Sequence, residues 1–179
     1  DQSNWTLLTD DQIARPVGDK IYRYQYVADL MQQGRYVKLD FTSDSSWTFI
    51  DEIKVLKYPQ TSAPEDDGNN IAFEKIYTSS PAASSEYPDE ENKLTDGWIG
   101  TEDSFNGLWV GYEGNKTAEI ILDLETTQPF EQIEMNFLQN RQSGIQWPDS
   151  VKVETSADKS QWTGLFVDNM DAENADGMA

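Results

Sequence analysis

The chain has 179 residues and a mass of 20.4 kDa, with 13 basic and 33 acidic residues and a formal net charge of −20. Phosphate binding needs a basic face, so nucleic acid is excluded as a partner, and the same charge disfavours an anionic membrane surface. Cys and His are both absent, which removes disulfides, thiolate and imidazole metal sites, and Ser-His or Cys-His catalysis. What remains is carboxylate and carbonyl chemistry, the hard oxygen donors that calcium takes.

No apolar run reaches the roughly 18 residues that would suggest insertion into a bilayer. Leu, Ile, Val and Phe make up about a fifth of the chain, close to the level at which chains stay disordered. Six Trp and eight Tyr offset this, because each aromatic buries a large area. A folded domain with a small core and long polar loops is expected.

In chain order, the one stretch that suggests a helix is Tyr24–Gln33, and it is short. Val37, Leu39 and Phe41 then alternate with Lys38 and Asp40, and Ile53 and Val55 with Glu52 and Lys54. Residues 58–69 carry Pro59, Pro64, Gly68 and the acidic run Glu65-Asp66-Asp67, and suggest a linker with nothing to bury. Further alternating runs are Ile120-Leu122-Leu124, Ile133-Met135-Phe137 and Val151-Val153. Polar turn clusters at 42–46, 113–115 and 156–160 separate these runs. Period-two runs between polar turns predict half-buried antiparallel strands, and hence an all-β sandwich, jelly roll or barrel. The expected organisation is a front piece, 1–57, the linker 58–69, and a back piece, 70–179.

The two ends repeat each other. Asp1, Ser3, Trp5, Thr6, Leu8 and Asp11 recur, without a gap, as Asp158, Ser160, Trp162, Thr163, Leu165 and Asp168. A common turn-plus-strand cassette arising twice explains this, and so does a tandem repeat whose period is the offset of the two copies.

Several motifs share one resemblance. Leu94-Thr95-Asp96-Gly97, Ile121-Leu122-Asp123-Leu124, Ile133-x-x-Asn136-Phe137-Leu138, Gly144-Ile145-x-x-Pro148-x-x-Val151-x-Val153 and Ser156-x-Asp158-x-x-x-Trp162 follow one another at suitable spacing. Over Asn70–Leu165 the chain resembles a discoidin, or coagulation-factor 5/8 type C, domain, the fold also found in family 32 carbohydrate-binding modules. The ending of such a domain resembles Arg35-Tyr36-Val37-Lys38-Leu39 and Asp51-Glu52-Ile53-Lys54-Val55, which here precede its beginning. The resemblance therefore implies a discoidin-like jelly-roll β-sandwich assembled from a front piece like its second half and a back piece like its first half, in permuted or tandem-repeat order.

The resemblance also implies a structural calcium ion held by Asp96 and Glu52, with the main-chain carbonyls of Lys93 and Leu94 nearby; a solvated Asp in a turn before Gly97 is the plainer alternative. It implies glycan binding. An indole covers the apolar face of a pyranose while polar neighbours bond its hydroxyls, which makes Trp147, Trp109, Trp98 and Trp47 candidates, together with the loop residues Gln139, Asn140 and Arg141. Most Trp in such a fold serve packing, and that reading stays open for each. The acidic residues lie in polar runs, with none placed in an apolar pocket, so catalysis is not expected. Asn4 and Asn115 fit the glycosylation pattern.

The expected function is noncatalytic attachment to polysaccharide by a module of a secreted or cell-surface bacterial protein. The alternative is a structural subunit of an extracellular filament or surface layer, assembled head to tail by strand exchange, since two copies of one cassette compete for one place.

Overall fold

The computed structural model describes residues 21–58, 68–101, 107–114 and 116–169. Among these are seven strands: β1 (Tyr22–Ser43), β2 (Trp47–Leu56), β3 (Tyr77–Ser80), β4 (Val110–Glu113), β5 (Lys116–Gln139), β6 (Ser150–Ser156) and β7 (Thr163–Asn169). Single 3-10 turns stand at Lys93–Thr95 and Arg141–Ser143. The proposed linker residues 59–67, the first copy of the repeat, Asn4 and Asn115 lie outside the described residues.

All strand pairs are antiparallel, in the order β4-β2-β5-β1-β6-β7, with β3 on β5. β1 and β5 are long because each runs through both layers of a sandwich. Their pairing breaks between Gly34, opposite Gln128, and Tyr36, opposite Asp123. On one side of the break lie β3, the first part of β5, the second part of β1, β6 and β7; on the other lie β4, β2, the rest of β5 and the start of β1. Phe41 of the first layer meets Phe137 and Tyr112 of the second edge-on, at 6.2 and 5.3 Å. The alternating residues Val37, Leu39, Ile120, Leu122, Ile133, Met135, Val151 and Val153 fill the space between. This is the expected all-β architecture.

Two expectations are corrected. Tyr24–Gln33 is strand, not helix, and pairs with residues 129–137 of β5. Ala28, Leu30, Met31 and the two Gln are adequate helix formers, but an open strand edge on β5 overrides so weak a preference. The runs at 120–124 and 133–137 belong to one strand rather than two. No turn separates them; the chain only bends, with Glu125 at φ 68.

Candidate functional site

The strongest polar feature begins with a β-bulge. Ile50 opposes Phe137 and Ile53 opposes Met135, so Asp51 and Glu52 together face the single residue Asn136. The bulge breaks the strict alternation, and both carboxyl side chains are buried, Glu52 at 1% exposure. Asp51 Oδ1 accepts from Asn136 Nδ2 (2.9 Å) and Oδ2 from the Gly100 amide (2.7 Å). Glu52 Oε2 accepts from the Gly97 amide (3.1 Å), and Asp96 Oδ1 from the Trp98 amide (2.8 Å). Three amides of one loop thus end on three carboxylates. The loop is held from behind as well: the Trp109 ring lies so close to Gly100 that an added Cβ would fall 2.3 Å from Cε2, which only glycine avoids.

Burial pushes the Glu52 carboxyl up to about 8, and the neighbouring charges of Asp96 and Asp51 add to it against the Gly97 hydrogen bond. Burial pushes Asp51 up to about 6, opposed by its bonds from Asn136 and Gly100. Glu52 Oε1 is buried with no hydrogen-bond partner among the described residues. A buried, half-satisfied carboxylate beside Asp96 is a donor set that suits a hard divalent cation. No group of three or more acidic side chains able to hold a metal occurs among the described residues, so such a cation would also need main-chain oxygens. Lys93 and Leu94 supply the adjacent 3-10 turn, with Leu94 buried and its amide donating to Tyr77 Oη (3.1 Å).

Two buried carboxyls with raised, separated values were not foreseen from the sequence, which placed Asp51 in no site. Both are buried, and one oxygen of each, Glu52 Oε2 and Asp51 Oδ2, accepts from an amide of the 97–100 loop.

The expected sugar contacts separate into three groups. Trp109 (2% exposed) and Trp147 (4%) lie in the interior, so neither indole face is open to a ligand as expected. Gln139 is fully buried, and Asn140 turns its amide oxygen to the Ser143 amide (3.3 Å), capping the 3-10 turn. Arg141, by contrast, is exposed on that turn. It shares the end of the sandwich with Trp47, whose amide donates to Gly144 O (3.0 Å) and whose carbonyl accepts from Gln146 (3.1 Å). Trp47 is partly exposed and stands edge-on to Phe49 and Tyr87, at 5.9 and 5.3 Å. Tyr87, also partly exposed, was not foreseen; its place beside Trp47 is a product of tertiary contact. Trp98 is 67% exposed, in the loop beside Asp96. Five residues of strand, about 17 Å, separate Trp47 from Glu52, so the aromatic end and the carboxylate bulge are distinct places.

A search of the curated proteins and a search of the solved structures each return no match. The family model of the F5/8 type C domain matches residues 75–178, which include the Asp96 loop, Trp98, β5, the Arg141 turn and β6, while Glu52 and Trp47 come from the preceding part of the chain. With that match and the antiparallel sandwich described above, the chain belongs to the F5/8 type C, or discoidin, domain family.

Proposed function

We propose that the domain is a noncatalytic glycan-binding module of a secreted or cell-surface bacterial protein. Discoidin domains are generally binding modules, typically extracellular, and among the described residues no helix is long and apolar enough to cross a membrane. The observation that carries the reading is the partly exposed Trp47–Tyr87 pair at the same end of the sandwich as the exposed Arg141. The pair offers aromatic surface to a pyranose ring, and the guanidinium offers donors to its hydroxyls. Trp98 is a second exposed aromatic. In this reading Glu52 and Asp96 hold a structural calcium ion with carbonyls of the 93–95 turn. The ion neutralises the buried carboxylate and ties β2 to the 96–100 loop.

The test is retention on a panel of immobilised polysaccharides. Trp47→Ala should weaken retention at least tenfold while leaving the circular dichroism spectrum unchanged. Trp147→Ala should instead lower stability by about 3 kcal/mol or more, as for other buried aromatic truncations. Failure of the intact protein to be retained by any of them, or Trp47→Ala binding as well as the parent, overturns the glycan reading. The rival reading, a subunit of an extracellular filament or surface layer, draws its support from the repeated terminal cassette and the high negative charge.

A further inference from the structure

The 141–144 turn and Trp47 are tied into one piece. Asn140 caps the turn by accepting from the Ser143 amide (3.3 Å), and the Gly144 amide closes it onto Arg141 O (3.0 Å). Gly144 O then accepts from the Trp47 amide (3.0 Å), so two main-chain hydrogen bonds in series join Arg141 to Trp47. Gly144 has φ +72, and a Cβ there would fall 3.1 Å from Ser46 Cβ, so glycine is what lets the turn come so close. On its other side β2 pairs with β4, which sets the exposed Glu113 directly opposite Trp47. Trp47 therefore stands between an exposed basic residue and an exposed acidic one.

Arg141 also differs from the other described cations. Arg35, Lys38, Lys54, Lys75 and Lys152 pair with carboxylates. Lys57 and Lys93 donate to carbonyls, Lys159 lies over the Tyr36 ring, and the charge of Arg23 acts on Asp51. The Arg141 guanidinium has no hydrogen bond, ion pair or ring contact among the described residues. In a chain with 13 basic and 33 acidic residues, a cation without a carboxylate is an exception.

We infer that the Trp47–Tyr87 site takes a sugar unit bearing a carboxylate, a hexuronic acid. Its carboxylate pairs with Arg141, its ring lies against the aromatic pair, and its hydroxyls face Glu113. This inference rests on the glycan reading and narrows it. A guanidinium presents a planar fork of donors that meets a carboxylate with two parallel hydrogen bonds, each about twice as strong as a bond between neutral groups. Glu113 accepts from hydroxyls and repels a carboxylate, which fixes the direction in which the unit lies. The net charge of −20 acts over a longer range and repels a densely charged chain. The site thus suits carboxylates spaced along an otherwise neutral polysaccharide, rather than a sulfated or uniformly acidic one.

The test uses the whole chain and three polysaccharides in matched pairs. Glucuronoxylan, gum arabic and xanthan are immobilised intact and after reduction of their carboxyl groups to alcohols, beside neutral polysaccharides. At least one intact acidic polysaccharide should be retained, and its reduced form at least tenfold less. Arg141→Gln should lower retention of the intact form to the level of the reduced one, with an unchanged circular dichroism spectrum. Glu113→Gln keeps an acceptor and removes the charge, so it should strengthen retention of the intact form at least twofold. Equal retention of intact and reduced forms, retention of neutral polysaccharides alone, or Arg141→Gln binding as well as the parent overturns the inference. The glycan reading survives each of those results if Trp47→Ala still weakens retention, whereas retention of none of the polysaccharides overturns both.

Discussion

Glu52 sets the acid–base behaviour of the domain at the residue scale. A carboxyl whose folded value rises from 4.5 to about 8 binds a proton more tightly folded than unfolded. The cost of its buried charge is therefore absent below about pH 4.5, and stability falls as the pH rises through the window up to about 8. Asp51, raised from 3.8 to about 6, acts in the same direction over a lower window. In chelator, the melting temperature should accordingly decline from pH 5 to pH 9, and Glu52→Gln should remove most of the decline above pH 6. If Glu52 and Asp96 hold calcium as proposed, the ion favours the charged form, so added calcium should stabilise increasingly over the same range, and that gain should be largely lost in Glu52→Gln. A melting curve independent of pH in chelator would show that Glu52 is not buried as described. Asp96 and Glu52 were legible because the motif and the strand ending were. Asp51 was not, since in an alternating run it belongs on the opposite face from Glu52, and only the bulge brings both inward. For Trp109 and Trp147 the sequence offered no way to tell a packed indole from a presented one, as tryptophan serves both uses with the same neighbours in sequence.

At the scale of elements, the sandwich depends on two strands that bend between layers, and Gly34 marks the bend of β1. A Cβ there would lie 1.9 Å from Thr155 Oγ1, which donates to Tyr36 O (3.0 Å). Gly34→Ala should destabilise the domain by about 1–3 kcal/mol, as overpacking does. Thr155→Ala removes the obstructing hydroxyl, so in urea unfolding the double variant should be less destabilised than the sum of the single ones. Strict additivity would mean that the two residues do not touch. The periodicity that announced β2, β5 and β6 also ran through Tyr22, Tyr24 and Tyr26, and could have identified the start of β1 as strand. The helix-forming residues that follow obscured it, and the pairing with β5 decided the matter.

For the whole molecule, the strand order interleaves the front and back pieces. β2 lies between β4 and β5, and β1 between β5 and β6. Neither piece has a complete sheet of its own, and β4 pairs only with β2 among the described strands. A protease site inserted between Tyr58 and Gly68 should therefore yield two fragments that elute and scatter as one particle, separating only in denaturant. Fragments that part in native buffer would show that the pieces are independent. The salt dependence of that particle should be visible too, since a net charge of −20 repels itself and is screened by added ions.

The sequence by itself determined the β class, the family motifs, the absence of thiol and imidazole chemistry, and the repeated cassette, because each depends on residue type and local spacing. Only the tertiary structure decided which Trp are buried, that Asp51 joins Glu52 beneath the 97–100 loop, that Tyr87 stands beside Trp47, and that β1 and β5 each cross both layers. Those features arise from contacts between segments far apart in the chain, where packing and the pairing of buried polar groups outweigh local preference.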